Sequence, residues 1–404
     1  MNYSDNPLRE IQHNLHSRRT FLKFCASVTS LLALPVDASN QLAEKLVLAQ
    51  RPSVIWLSFQ ECTGCTESFT RSHSPSIESL IFDFISLDYH HTLQAASGES
   101  AEEARREAIK NNKGKFLLIV DGSIPSGKME ACSTVAGVSN LSMLNECIKD
   151  AAAVIAVGTC STFGGLPAAK PNPTEALSVE DCMEKGLVAK KPLINISGCP
   201  PLPVAISSVL AHYIAFDRFP ELDELHRPRS FYANTVHDRC SRFSFYEQEK
   251  FAKTFDDEAA RKGWCLYELG CKGPTTHNAC SIHKWNQGTS NPIEAGHPCI
   301  GCSEPNFWDK GGFYVSLDSK STTDKDNLSP PIAETPENNP IAIGESLYED
   351  NCVYCHEADP GVFKTKPDEI KQLFIDNKIR AHRSFDFDKE ELNALESYIK
   401  SSKK

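Results

Sequence analysis

Twelve of the sixteen cysteines in this chain of 404 residues fall into four groups whose spacing suits iron–sulfur clusters and one haem. Thiolates bind iron well because they are soft, anionic ligands. The series opens at Cys62 and continues to Cys355 near the carboxyl terminus. Several iron-binding groups in one chain indicate a protein that passes electrons from one metal centre to the next.

The first group combines a close pair of cysteines with two distant ones. Its members are Cys62, Cys65, Cys160 and Cys199, which supply the four thiolates of a [4Fe–4S] cluster. A C-x-x-C pair alone also occurs in zinc sites and in dithiol redox sites. Here each cysteine follows an apolar run of strand length, and this shared position favours a cluster.

The second group contains a histidine. His237 lies three residues before Cys240, and Cys265 and Cys271 follow. One imidazole and three thiolates supply four ligands for a second iron–sulfur cluster. A neutral imidazole in place of a thiolate removes one negative charge, which tends to raise the reduction potential.

The third group offers only three thiolates, those of Cys280, Cys299 and Cys302. Three ligands suit a [3Fe–4S] cluster, whose missing corner needs no ligand. His283 and His297 are the nearest candidates for a fourth ligand, and they remain as the alternative.

The fourth group predicts a covalently attached haem. Cys352, Cys355 and His356 form the sequence C-x-x-C-H, in which the cysteines make thioether bonds and the histidine is an axial ligand. All four methionines precede residue 184, so methionine is not available as the second axial ligand. His382 is the only histidine after His356, and we predict bis-histidine ligation.

The composition restricts the class of protein. Apolar residues make up 40% and charged residues 24%, as in a soluble globular protein. A net charge of −11 argues against nucleic acid as a partner. No apolar run reaches eighteen residues, so the chain has no predicted transmembrane helix of its own. A chain of this length does not need disulfides to fold. Of the four remaining cysteines, Cys25 lies in the predicted export signal, and Cys132, Cys147 and Cys182 are predicted to be buried or free thiols.

Residues 1–49 resemble a signal for export by the twin-arginine route. Arg18 and Arg19 precede a short apolar stretch from Phe24 to Val36. This route exports folded proteins, which suits a protein whose metal centres are inserted before export. The predicted location is the periplasm.

Four apolar runs indicate how the first group of ligands is positioned. They are residues 54–59, 116–120, 153–157 and 193–196, with a helical pattern from Glu99 to Lys110. Continuous apolar runs are typical of parallel strands covered on both faces. Sites in such sheets form beyond the carboxyl ends of the strands, where the first group lies. We therefore predict an α/β domain over residues 50–220.

The rest of the chain divides into three parts. Residues 221–317 are rich in Pro, Gly, Cys and His and predict an irregular domain held together by its clusters. Residues 318–340 have the composition of a linker. Residues 341–404 predict a small all-α, cytochrome c-like domain. Its last helix begins after Asp388 and carries an apolar stripe of Leu392, Leu395 and Ile399.

Taken together, residues 51–316 resemble the small subunit of [NiFe] hydrogenases. The segment from Glu61 to Ser68 is similar to the family's proximal-cluster motif, and that from His297 to Asp309 is similar to its medial-cluster motif. The resemblance implies a flavodoxin-like first domain with a proximal [4Fe–4S] cluster. The group that begins at His237 is then the distal [4Fe–4S] site, and the group that begins at Cys280 is the medial [3Fe–4S] site.

The resemblance also implies the partners. The Ni–Fe centre that splits H₂ lies on a separate large subunit, and this chain conducts the electrons away to a periplasmic or membrane-bound cytochrome. Gly64 and Gly165 stand where oxygen-tolerant relatives have two further cysteines, so the chain resembles the oxygen-sensitive type. The haem domain departs from membrane-bound relatives, which end in a hydrophobic helix.

Two other functions remain as alternatives. The iron–sulfur subunit of quinone-linked NADH dehydrogenases shares the first domain, but it usually has adjacent cysteines at the first site and lacks the second and third groups. An H₂-sensing subunit is the other, although sensors typically lack an export signal such as Arg18-Arg19.

Overall fold

A parallel sheet of five strands forms the centre of the amino-terminal part of this computed structural model. The structure describes residues 18–32, 34–35, 37–73, 75–310, 312–317, 341, 344, 347–348 and 389–402. The strands are β1 Ser53–Ser58, β2 Ser86–His90, β3 Leu117–Asp121, β4 Thr134–Val135, β5 Val138–Ser139, β6 Ala153–Val157 and β7 Leu193–Ile196. The sheet order is β2-β1-β3-β6-β7, while β4 and β5 form a separate antiparallel ribbon. Without that ribbon the order is 2-1-3-4-5, as in flavodoxin-like folds.

Apolar side chains cover both faces of the sheet. Val54 and Trp56 of β1 enter one apolar cluster, and Ile55 and Leu57 enter the other. The first cluster includes the helix Pro203–Phe216, which is apolar on nearly all sides. The continuous apolar runs predicted parallel strands, and this prediction is confirmed. Successive side chains of a strand point to opposite faces of the sheet, and here both faces are buried.

Sequence reasoning located four of the five strands to within one residue and missed β2. This edge strand, with the sequence SLDYH, is only partly buried over its first three residues. An edge strand has a neighbour on one side only, so its sequence lacks the continuous apolar run of the inner strands. The helix predicted from Glu99 to Lys110 spans Glu99–Asn111.

Short helices connect the strands and dominate the segment that follows them. The helices of the first 216 residues are Arg18–Leu31, Ala38–Leu48, Gly64–Thr70, Ile77–Ser79 with a π-helical continuation Leu80–Phe84, Glu99–Asn111, Gly127–Cys132, Asn140–Ile148, Thr159–Phe163, Leu166–Ala168, Val179–Glu184 and Pro203–Phe216. Those that follow are Arg229–Tyr232, His237–Arg239, Phe243–Glu247, Glu258–Arg261, Gly273–Thr275 and Cys280–His283. None of the latter exceeds five residues in the described part of 221–317, as the irregular composition predicts.

Part of the predicted export segment is packed against the α/β core. In the helix Arg18–Leu31, Phe24, Cys25 and Val28 are buried, and the ring of Phe24 lies 5.6 Å from that of Phe84. The helix Ala38–Leu48 buries Leu42 in the same cluster. The function of this segment in export stays a prediction.

The chain separates into two compact units, residues 1–320 and 321–404. In the second unit, the helix Lys389–Ser402 buries Leu392, Leu395 and Ile399, so the predicted apolar stripe is confirmed. Asp388, its predicted cap, lies outside the described residues. Among the helices that the structure describes, none combines the length and apolar character needed to cross a membrane.

Candidate metal centres

The first set of ligands, Cys62, Cys65, Cys160 and Cys199, lies at the carboxyl edge of the sheet. Cys65 is in the helix that follows β1, Cys160 in the helix that follows β6, and Cys199 in the loop after β7. Because these strands are parallel, their carboxyl ends meet at one edge. The loops are also joined directly, since the Thr159 N–H donates to the Gly198 carbonyl over 2.9 Å.

The four thiols of the first set are close enough to influence one another. Burial raises the pKa of Cys65 well above its usual value, and Asp121, Cys160, Cys199 and Cys62 add to the rise. Burial likewise raises the pKa of Cys160 to about 12, and the charges of Cys199 and Cys62 contribute. Such thiols become thiolates only where a cation compensates their charge, and iron supplies one.

Backbone geometry at Gly158 limits the space beside the first set. Gly158 has a φ of +90°, and a Cβ atom on it would lie 2.3 Å from the Cys65 sulfur. Only glycine combines this conformation with so close an approach. The turn after β6 therefore passes directly beside the Cys65 sulfur, while its N–H groups donate to the carbonyls of Ile196 and Gly198.

The second set, His237, Cys240, Cys265 and Cys271, lines one small enclosed cavity. The His237 ring packs edge-on against the rings of Phe243 and Tyr246, with centroids 4.9 and 4.5 Å away. Burial lowers the pKa of His237, which favours the neutral imidazole that can bind a metal. Burial raises the pKa of Cys265 to about 11. All four predicted ligands thus face a common space, with His237 half-buried at its margin.

The third set, Cys280, Cys299 and Cys302, opens into a cleft of about 670 Å³. Burial raises the pKa of each of the three thiols to about 12. The cleft also includes Cys199 of the first set among its lining residues. Three partly buried cysteines that share one cavity suit a three-iron cluster better than three isolated structural cysteines.

Histidine contacts bear on the alternative fourth ligand of the third set. The Nδ1 atom of His297 is 2.8 Å from the Pro298 carbonyl, and its Nε2 atom is 3.0 Å from the Tyr314 hydroxyl. Both ring nitrogens are thus already engaged. The ring of His283 meets that of Phe231 edge-on at 5.6 Å.

We expect His297→Ala to leave a [3Fe–4S] signal of the third set unchanged, because this imidazole already has two hydrogen-bond partners. Electron paramagnetic resonance of the oxidised protein measures the signal. Cys299→Ala is the matched comparison and should abolish it. Loss of the signal in His297→Ala would contradict the prediction of three ligands.

The third set lies between the other two. The Thr159 hydroxyl, next to Cys160, donates to the Cys302 carbonyl over 2.5 Å, and the charges of Cys199 and Cys302 interact. On the other side, the charge of Cys271 acts on Cys299, and the Lys272 N–H donates to the Cys299 carbonyl over 2.7 Å. The three sets are therefore arranged in the order first, third, second, which differs from their order in the sequence.

The predicted haem ligands and the other cysteines outside the three sets differ in whether the structure describes them. The haem residues Cys352, Cys355, His356 and His382 lie outside the described residues. All fourteen cysteines within the described residues are free thiols, among them Cys25, Cys132, Cys147 and Cys182. Within the same part of the chain, no three His, Cys, Asp or Glu side chains converge as ligands of a single metal ion do.

The sequence placed Asp121 in the loop after an apolar run but assigned it no role in the first set. Asp121 ends β3, is fully buried, and acts electrostatically on Cys65. Burial raises its pKa to about 7, and the negative charge of Glu61 adds to the rise. The position of Asp121 at the end of an apolar run could have indicated a buried carboxyl group. An aspartate after a strand, however, is also typical of an exposed turn.

Two family models match separate parts of this chain. Residues 232–315 match the C-terminal family model of the NiFe/NiFeSe hydrogenase small subunit. Residues 62–213 match the model "NADH ubiquinone oxidoreductase, 20 Kd subunit". The second match covers only the α/β part, which both families share, so it does not account for the second and third sets.

Two curated relatives and one solved structure illustrate the similarity. The periplasmic [NiFe] hydrogenase small subunit 1 of Nitratidesulfovibrio vulgaris is 47% identical over 302 residues, which are 74% of this chain and 93% of the relative. The uptake hydrogenase small subunit of Cupriavidus necator is 44% identical over 301 residues, with 74% and 82% covered. A chain of the [NiFeSe] hydrogenase of Desulfomicrobium baculatum superposes with a TM-score of 0.62 at 35% identity, over 66% of this chain and 100% of that one.

Proposed function

Because the chain belongs to the small-subunit family of [NiFe] hydrogenases, we propose that it conducts electrons from H₂ oxidation in a large subunit, through three iron–sulfur clusters, to a c-type haem. The first set binds the proximal [4Fe–4S] cluster, the third set the medial [3Fe–4S] cluster, and the second set the distal [4Fe–4S] cluster. The haem passes electrons to a periplasmic or membrane-bound cytochrome.

The observation that carries this proposal is the order of the three sets. Cys302 adjoins Cys199 on one side, and Cys299 adjoins Cys271 on the other. Electron transfer between metal centres requires short distances, so a middle set that touches both neighbours provides a continuous path. His237 is half-buried, which suits the distal cluster as the point where electrons leave the path.

The residues of each set fit the cluster proposed for it. When bound, the clusters supply one-electron redox chemistry, and the protein supplies anionic thiolates, one neutral imidazole and hydrogen bonds that adjust the potentials. Raised thiol pKa values disfavour charged cysteines without iron, so cluster binding and the release of protons are linked. We propose that the chemistry of H₂ itself takes place on the large subunit.

Anaerobic purification of the native protein tests the proposal as a whole. We expect a nickel-containing partner chain and about twelve iron atoms per small subunit, from two [4Fe–4S] clusters, one [3Fe–4S] cluster and one haem. Electron paramagnetic resonance should detect the three-iron signal, and optical spectra a low-spin haem. Zinc or cystines in these positions would contradict the proposal.

Truncation after Lys320 tests the final step to the haem. The cut coincides with the boundary between the two compact units, so the first unit should keep its clusters. We expect H₂-driven reduction of an artificial dye to persist at about the original rate, while reduction of a cytochrome acceptor falls at least about tenfold, or about 1.4 kcal/mol in activation free energy.

A variant with Cys352→Ser and Cys355→Ser controls for loss of the polypeptide itself. It retains the second unit but cannot attach haem, and it should show the same selective loss. If both variants reduce the cytochrome as fast as the unaltered protein, electrons leave directly from the distal cluster, and the proposed haem step is wrong.

A further inference from the structure

Arg227 is a buried cation next to the third set of ligands. It is one of three buried arginines in the described part of the chain, together with Arg105 and Arg242. Arg105 lies in the α/β part, where it pairs with Glu102, and the Arg242 N–H contacts the Cys240 sulfur at 3.4 Å. Arg227 is thus the buried arginine that lies beside the third set. A charge shielded from water acts more strongly on its neighbours than one at the surface.

Two carboxylates and one carbonyl hold the Arg227 guanidinium. Its Nε donates to Asp223 Oδ2 over 2.8 Å, and its Nη1 donates to Glu304 Oε1 over 3.2 Å. Nη1 also donates to the carbonyl of Ser303, which directly follows Cys302, over 3.3 Å. The side chain is only 5% exposed, so its position is set by these contacts.

The same contacts join the loops of the first and third sets. Ser197, two residues before Cys199, donates its hydroxyl to the Ser303 carbonyl over 2.9 Å. The Tyr232 hydroxyl donates to the Ser197 carbonyl over 2.6 Å, and the Arg227 guanidinium lies 5.1 Å from the centre of the Tyr232 ring. Arg227 therefore contacts the loop of the third set directly and the loop of the first set through Tyr232.

The electrostatic environment of the Tyr232 hydroxyl shows that this junction lies close to the third set. Burial raises the pKa of the Tyr232 hydroxyl, and the charges of Cys280 and Cys302 add to the rise. The positive charge of Arg227 acts in the opposite direction. Charges on the cysteines and on Arg227 are thus close enough to influence the same side chain.

We propose that Arg227 is a positioning residue of the electron path, which keeps the medial site against the proximal loop and holds the reduction potential of the medial cluster high. The inference rests on the proposed function, since it requires a cluster at the third set. A nearby positive charge stabilises the reduced, more negative state of a cluster, so removal of that charge lowers the potential. Its loss also leaves Asp223 and Glu304 without their shared cation, and these negative charges act in the same direction.

Three substitutions separate the effect of charge from that of shape. Arg227→Met removes the charge from a long side chain, whereas Arg227→Lys retains it without the planar fork of donors. Arg229→Met is the matched control, because Arg229 is 57% exposed and pairs with Glu221 at the surface. Redox titration of the holoenzyme, followed by the [3Fe–4S] signal, gives the midpoint potential.

We expect the medial potential to fall in Arg227→Met, to return most of the way in Arg227→Lys, and to stay unchanged in Arg229→Met. The proposal is overturned if Arg227→Met and Arg229→Met have the same potential as the unaltered protein. Iron content and the three-iron signal of the unaltered holoenzyme test the presence of the cluster separately, so failure of the proposed function is distinguishable.

Glu304→Gln keeps the proposal testable if Arg227→Met does not fold. Removing a negative charge beside the same guanidinium should raise the medial potential, opposite to the effect of Arg227→Met. If Arg227 and Glu304 only supported the local structure, the two substitutions would not shift the medial potential in opposite directions. An unchanged or lowered potential in Glu304→Gln would also overturn the proposal.

Discussion

Gly158→Ala should abolish the proximal cluster and lower H₂-driven dye reduction by about a hundredfold or more, equivalent to about 2.7 kcal/mol in activation free energy. The added methyl group would lie 2.3 Å from the Cys65 sulfur, well inside van der Waals contact. Cys65 is in a buried helix turn and has little room to move. Iron analysis should show a loss of about four atoms per chain, and electron paramagnetic resonance should show the proximal signal missing.

Gly186→Ala is the matched control for backbone strain. Gly186 also has a left-handed φ, +68°, but a Cβ there meets no atom within 4 Å. Alanine in this conformation costs about 1 kcal/mol in the free energy of unfolding, so the control should unfold at a slightly lower temperature. It should keep all its iron and its activity. Full cluster content in Gly158→Ala would show that the Cys65 loop adjusts and that the predicted clash is wrong.

His237→Ala should slow the departure of electrons without affecting the chemistry of H₂. If His237 is the fourth distal ligand, its loss alters or removes the terminal cluster of the path. We expect H₂-driven dye reduction to fall at least about tenfold, or about 1.4 kcal/mol in activation free energy. Exchange between D₂ and water needs no net electron flow, and it should continue at about the original rate.

His73→Ala is a suitable control for the loss of an imidazole. His73 has an exposed side chain and belongs to none of the three sets. It should leave dye reduction, isotope exchange and the distal signal unchanged. If His237→Ala lowers dye reduction and isotope exchange by the same factor, the substitution has damaged the whole complex, and the assigned role of His237 is wrong.

Local patterns in the sequence predicted most of the secondary-structure elements of the sheet. The inner strands β1, β3, β6 and β7 were predictable because burial on both faces requires continuous apolar residues. The edge strand β2 was not, since partial burial leaves an ambiguous pattern. The family was also predictable, because a long series of cysteines with fixed neighbours is specific.

The sites were predictable only as sets of ligands. Spacing assigned eleven residues to three groups, and parallel strands explained why Cys62 and Cys199 meet. Asp121 and Arg227 were not identified, because an Asp after a strand and an Arg before a proline have common structural explanations. Both residues matter because they are buried, and the segments that bury them are distant from them in the sequence.

What the sequence by itself determined is the candidate ligands and the type of most elements that carry them, because each local pattern depends on residues close together in the chain. The family resemblance implied the order of the three sets, and only the tertiary structure decided which contacts place them in that order. Cys302 reaches Cys199 and Cys299 reaches Cys271 through contacts between distant segments. Tertiary contacts also decided which charges are shielded from water, and that shielding gives Asp121 and Arg227 their influence on the neighbouring sites.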